Sequence, residues 1–221
     1  NKPFVSKGFA YIYNDEDFQN KVIKKKLDNR SFQIAHNKLR MGSLIKIINI
    51  KTNESIILKN NKKIEYPEFY KILITKPVAD KLNLEISSPI VEVIELKKNK
   101  SFVAKKTKIF KEEERIHNNA PVETVTIDNI STNNNINKKI TTDKFYIIIA
   151  EFYSKNSALL LQKRITQELT NFKSKKLYVK SGKSNKTTLL SGPYSSINLM
   201  KNDYIQLKKF GFEELDISIN E

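Results

Sequence analysis

The chain has no cysteine, which excludes a disulfide framework and any thiolate-bound metal. Histidine is nearly as rare, with only His36 and His117. Two are too few for a histidine metal cluster, and no His/Asp/Glu spacing replaces one, so we expect no metal and no cofactor. Glycine occurs five times, at Gly8, Gly42, Gly182, Gly192 and Gly211. Each falls where a backbone turn is wanted, which leaves none for a phosphate cradle. A P-loop, a dinucleotide glycine pattern and a G-x-S-x-G elbow are all missing. There is no tryptophan, and the nine tyrosines and twelve phenylalanines mostly fit core positions of strands rather than a base-stacking platform. No apolar run approaches the roughly 20 residues that a membrane-spanning helix needs.

Lysine, asparagine and isoleucine are plentiful instead. The net charge of +16 invites a nucleic-acid reading, but its distribution argues otherwise. Residues 1–96 hold 17 basic and 11 acidic groups, residues 97–141 hold 10 and 5, and residues 142–221 hold 13 and 8. The excess is spread evenly rather than gathered into a stripe, as a general bias towards Lys, Asn and Ile would produce. We expect no nucleic-acid partner. The first residue is Asn1 rather than Met, which leads us to expect residues upstream, removed as a signal peptide or by truncation.

Short strand signals dominate residues 1–96. Gly8 to Tyr13 alternates aromatic and small residues, and Asn14 to Asp17 reads as a turn. Leu44 to Ile50, Ser55 to Lys59, Tyr70 to Ile74 and Pro89 to Leu96 follow as β-branched strands. Pro77 to Leu82 is a short helix with Pro in its first turn and Thr75 as N-cap. Many strands and one small helix predict a small closed β-barrel. Residues 97–141 read as a basic, Asn-rich linker, with alternating apolar residues over Ser101 to Phe110 and Val122 to Ile130.

Residues 142–221 are the most regular part. Phe145 to Phe152 is an apolar strand, and Ser154 caps a helix to about Phe172 with Leu159, Leu160, Ile165 and Leu169 on one face. Leu177 to Val179 and Thr187 to Leu190 flank Gly182 as a hairpin, after which Gly192-Pro193 turns the chain. Ser195 or Ser196 caps a second helix with Leu199, Tyr204 and Leu207 inward, Gly211 sits at its C-cap, and Leu215 to Ile219 closes as a strand. The order β-α-β-β-α-β predicts a ferredoxin-like split arrangement. The fold class expected is thus mainly β in the first half and α+β in the second.

Both halves of the chain carry a family resemblance. Gly8-Phe9-Ala10-Tyr11-Ile12-Tyr13 resembles a G-x-A-S-x-Y opening, and Ile34 to Ser43, with His36 and Gly42, resembles A-A-H-x-x-L-P-x-G-T. Ile45 to Leu58 resembles V-x-V-x-N-x-x-x-G-x-S-x-x-V, and Thr75 to Leu82 resembles S-x-x-A-A-x-x-L. These patterns are similar to the double-psi β-barrel of the rare lipoprotein A (RlpA) family. Phe145 to Phe152 resembles F-Y-V-Q-V-G-S-F, and Gly192-Pro193-Tyr194 with Gly211-Phe212 resembles the later G-P-F and G-F signals of the sporulation-related repeat (SPOR) domain. The resemblance implies a six-stranded double-psi barrel over residues 1–96 and a SPOR domain over 142–221.

It further implies a periplasmic protein of a Gram-negative bacterium, with an outer-membrane lipid anchor upstream of Asn1. Its partners would be peptidoglycan glycan strands and septal or envelope proteins. Active members of the family are lytic transglycosylases, which cleave MurNAc-GlcNAc bonds to 1,6-anhydro ends. That chemistry needs a carboxylic acid for the leaving oxygen and a base for the muramyl hydroxyl. The family's histidine is His36 here, whereas its Glu position falls at Lys25 and its Asp position at Asn61. A lysine or an amide cannot trade a proton as a carboxyl does. The resemblance therefore implies a catalytically degenerate protein that binds cell-wall glycan or a septal partner. The alternative is an active transglycosylase using His36 with Asp28 or Glu65, and a further one is a structural component of an envelope assembly. In the second half the glycan-binding candidates are Tyr146, Ile148, Glu151, Thr188 and Tyr194, with Ile148, Glu151 and Thr188 standing where the family has Gln, Ser and Arg.

Overall fold

In the computed structural model, residues 3–97, 143–169, 172, 176–182 and 185–220 are described. The linker reading and His117 lie outside them. The described chain is mainly β. Its first six strands are β1 (Val5–Ile12), β2 (Ile34–Ala35), β3 (Leu44–Asn49), β4 (Ser55–Lys59), β5 (Ile72–Ile74) and β6 (Ile90–Leu96). Two short helices, α1 (Asp15–Gln19) and α2 (Lys76–Lys81), interrupt them. The six strands form one nearly closed, barrel-like sheet in the order β2-β5-β1-β6-β3-β4.

β1 is the pivot, pairing parallel with β5 and antiparallel with β6. Alternation sets the register of β3, whose Ile45, Ile47 and Asn49 are buried while the residues between them are only half-buried. The buried amide of Asn49 is satisfied by donating to the carbonyls of Leu82 and Asn83, which ties the β3–β4 turn to the end of α2. Closure relies on a side chain. The edge strand β2 is bridged at Ala35 to Lys62, in the segment that follows β4, and beside that bridge the buried amide of Asn60 bonds the backbone of His36.

The second half runs β7 (Phe145–Phe152), α3 (Lys155–Glu168), β8 (Leu177–Ser181), β9 (Thr187–Tyr194), α4 (Ile197–Phe210) and β10 (Asp216–Ile219). Its four strands form a second sheet in the order β10-β7-β9-β8, all neighbours antiparallel. Both sheets belong to one compact unit. Phe9, Phe69 and Ile90 of the barrel share an apolar cluster with Ile147, Met200 and Tyr204. Phe9 lies edge-on to Phe145 at 5.4 Å, and Phe69 to Tyr204 at 5.3 Å.

Several local expectations need correction. Asn14 to Asp17 does not form a simple turn: Asn14 caps α1 in a capping box with Asp17. Thr75, Ser154 and Ser196 stand at N-cap positions without a capping side-chain bond. The Thr75 hydroxyl instead donates to the Ser31 carbonyl at 2.7 Å, which fastens the β2 edge. α3 ends at Glu168, not near Phe172, and buries Ala158 and Ile165 while Leu159 and Leu160 stay exposed. In α4, Met200 takes the inward place expected of Leu199, which is exposed. Gly192-Pro193 does not turn the chain, because β9 continues through it to Tyr194. Gly192 sits at φ +150° where a Cβ would lie 2.7 Å from the Tyr146 ring, so only glycine fits.

Candidate functional site

His36 follows directly on β2, where the chain leaves the sheet and curls back to Gly42. Gly42 adopts φ +88°, and its N–H donates to the Asn60 carbonyl. The curl places the N–H groups of Lys38 and Leu39 against the ring of His36, both donating to Nδ1 at 3.2 and 3.1 Å. Nδ1 is therefore the acceptor and the proton sits on Nε2. The Phe4 ring stands edge-on to the imidazole at 5.1 Å. The residue is only 1% exposed, and Nε2 is buried without a hydrogen-bond partner among the described residues.

Burial is the main cause that pushes the His36 pKa down to about 4, helped by the nearby Lys38 cation and opposed by Glu214. At neutral pH the ring is uncharged. Its one basic lone pair is already engaged by its own backbone turn, so His36 can donate a hydrogen bond but has no free site to accept a proton.

His36 lines a recess of about 70 Å³ between the barrel and α4, together with Glu68, Lys71, Tyr204 and Glu214 among others. That volume suits about two waters at roughly 30 Å³ each, and a sugar ring does not fit. Lys71 crosses the floor. Its ammonium donates to the Leu215 carbonyl and to the Tyr204 hydroxyl, and burial lowers its pKa to about 8. The stem of Lys71 lies on Gly8, where a Cβ would come within 2.8 Å of it. Lys38 pairs with Glu214 at 2.6 Å over the recess, and Asp216 accepts the backbone N–H of Lys7 at 2.9 Å. The second half of the chain thus roofs the histidine.

None of the carboxylates or replaced positions singled out in the sequence joins His36 there. Asp28 is exposed and accepts from the Arg30 N–H, which together with the Ser31 hydroxyl lowers its pKa. Glu65 is exposed and paired with Lys24 at 2.7 Å, which likewise lowers its pKa. Both are held ionised, the wrong state for a general acid. Lys25 is exposed, with its ammonium donating to the Lys63 carbonyl, and Asn61 is exposed beside the buried Asn60.

In the second half, Glu151 and Thr188 are partners across β7 and β9, and Ile148 is opposite Leu190. Glu151 is exposed and pairs with Lys186 at 3.0 Å, while Ile148 and Thr188 are half-buried. Tyr146 is buried with its ring against Tyr178. Tyr194 is buried apart from them: its hydroxyl bonds Ser191 at 2.6 Å and Asp203 at 2.7 Å, and Lys176 lies over its ring.

The sequence reading did not single out Asn60, Lys71 or Glu214, the partners that define the surroundings of His36. Nor did it single out an open cleft of about 640 Å³ between β1, the 85–89 loop and the start of α4. Only Ile86, an apolar residue in a polar turn, hinted at that cleft. Among the described residues, no group of three or more His, Asp or Glu is placed to hold a metal, and no helix is long and apolar enough to cross a membrane. No protein-family profile and no curated protein matches the chain.

Proposed function

We propose that the chain is a peptidoglycan-associated envelope protein, an RlpA-like double-psi barrel joined to a SPOR-like domain, which holds cell-wall glycan or a septal partner without cutting it. Its place would be the periplasm. The nearly closed six-stranded sheet and the β-α-β-β-α-β order of the second half are compatible with those two folds. The observation that carries the non-cutting part is the state of His36. Its basic lone pair is spent on the Lys38 and Leu39 N–H groups, its Nε2–H has no hydrogen-bond partner among the described residues, and the recess it lines is too small for a sugar. A transglycosylase needs a proton acceptor and a proton donor at one glycosidic bond. This residue supplies neither.

Incubation with purified sacculi tests the reading. The protein co-sediments with them at physiological salt and releases no anhydro-muropeptides. Release of anhydro ends that His36→Ala abolishes would establish the transglycosylase instead. Failure to co-sediment would leave a structural envelope component without glycan affinity.

A further inference from the structure

The 640 Å³ cleft is nine times the volume of the recess at His36 and opens to solvent on the barrel side of α4. Its chemistry is unlike that of the surface around it. On a chain of net charge +16, no lysine or arginine lines the cleft, and its two charged residues are carboxylates, Glu85 and Asp143. Both are answered by one cation from behind, the ammonium of Lys51. Two carboxylates against one ammonium leave the cleft about one net negative charge, with nothing to hold a polyanion, which needs several unpaired cations.

Apolar faces and neutral polar groups remain. Tyr11 and Tyr70 stand edge to face at 4.8 Å on one side, both only half-buried. Ile86 is 76% exposed and adds an aliphatic surface to the cleft lining. Asn198, exposed at the start of α4, provides an amide that both donates and accepts. Pockets built in this way take ligands with an apolar face and a few fixed polar edges. An uncharged sugar ring has that form: C–H groups on its faces, and hydroxyl or acetamido groups round its edge.

We propose that this cleft binds a short, uncharged stretch of amino-sugar glycan, with Tyr11, Tyr70 and Ile86 against the ring faces and Asn198 on the polar edge. The proposal rests on the reading that the chain holds cell-wall glycan, and it places the contact away from His36 and away from the β7–β9 candidates. Tyr11 also belongs to the barrel, so its replacement alone would confuse binding with folding. Ile86 and Asn198 are exposed and avoid that difficulty.

The test is calorimetric titration of the full chain with short, uncharged strands of linked N-acetylglucosamine, beside the sacculus sedimentation described above; peptide-free cell-wall strands would not serve, because each muramic residue exposes a carboxylate. We expect Ile86→Ser combined with Asn198→Ala to weaken strand binding on the order of tenfold or more, with an unchanged melting temperature. Tyr11→Ala weakens it further. If both variants bind the strands like the parent, the cleft assignment falls while the glycan-binding reading stands. If the parent binds neither strands nor sacculi, both fall. Binding of free stem peptide, but not of the strands, overturns the saccharide assignment.

Discussion

The side chain of Asn60 accepts the backbone N–H of His36 at 3.0 Å and donates back to the His36 carbonyl at 3.2 Å, imitating a strand where none is present. The same amide nitrogen also lies within reach of the carbonyls of Leu39 and Arg40. Asn60→Ala leaves this buried backbone without partners, and each such group costs about 1–3 kcal/mol. We expect a loss of about 2–4 kcal/mol in urea unfolding. Asn60→Asp keeps the acceptor but has no N–H to give, so it should recover little of the loss.

The histidine is a stability switch at mildly acidic pH. Its folded pKa, about 4, lies below the unfolded value of 6.5. Between those values the unfolded chain binds a proton that the folded chain refuses, so stability rises with pH across this window. The contribution is fully present above pH 6.5 and is lost as pH falls towards 4. At 1.36 kcal/mol per unit the loss amounts to about 3 kcal/mol. Urea midpoints measured from pH 7 to pH 4 should fall accordingly. His36→Gln, which cannot titrate, should flatten that slope, and carboxylate protonation will appear equally in both proteins.

Gly8 and Lys71 form a second dependency between distant residues. A Cβ on Gly8 would lie 2.8 Å from Cγ and 2.9 Å from Cε of Lys71, whose ammonium is fastened to Leu215 and Tyr204 and cannot swing away freely. Gly8→Ala should therefore cost about 1–3 kcal/mol by overpacking. The two changes should not add. In a Lys71→Ala background the same substitution finds space, so a double-mutant cycle gives a favourable coupling. Simple additivity would show that the stem of Lys71 is not what excludes a side chain at Gly8.

How much of this could be read in the sequence depended on the kind of pattern. Ser55–Lys59 and Phe145–Phe152 coincide with the strands expected, because each is a short apolar run rich in β-branched or aromatic residues and bounded by polar ones. Helix faces were less legible. Ala158-Leu159-Leu160-Leu161 is apolar at every position, so its pattern fixes the existence of α3 but not its rotation. The sheet beneath decides, taking Ala158 and Ile165 and leaving Leu160 out. His36 was visible as a lone histidine, but its state depends on Asn60, 24 residues away, and on a roof supplied by Lys71, Tyr204 and Glu214. Partners brought together only by tertiary packing leave no periodic signal.

Tyr194 shows how a matched motif position can have a different task. The Gly192-Pro193-Tyr194 segment suggested a glycan contact, yet the ring is buried and its hydroxyl bridges Ser191, itself fully buried, and Asp203 of α4. Burial pushes the pKa of that hydroxyl far up, and Asp203 adds to the shift, so it remains a donor at every working pH. The bridge holds β9 to α4, the helix whose first turn lines the open cleft. Tyr194→Phe keeps the ring in the core while leaving Ser191 and Asp203 short of a partner. We expect a cost of about 1–3 kcal/mol in unfolding, with sacculus co-sedimentation unchanged at temperatures where the variant is folded. A binding defect without a stability defect would instead place the Tyr194 hydroxyl on the ligand.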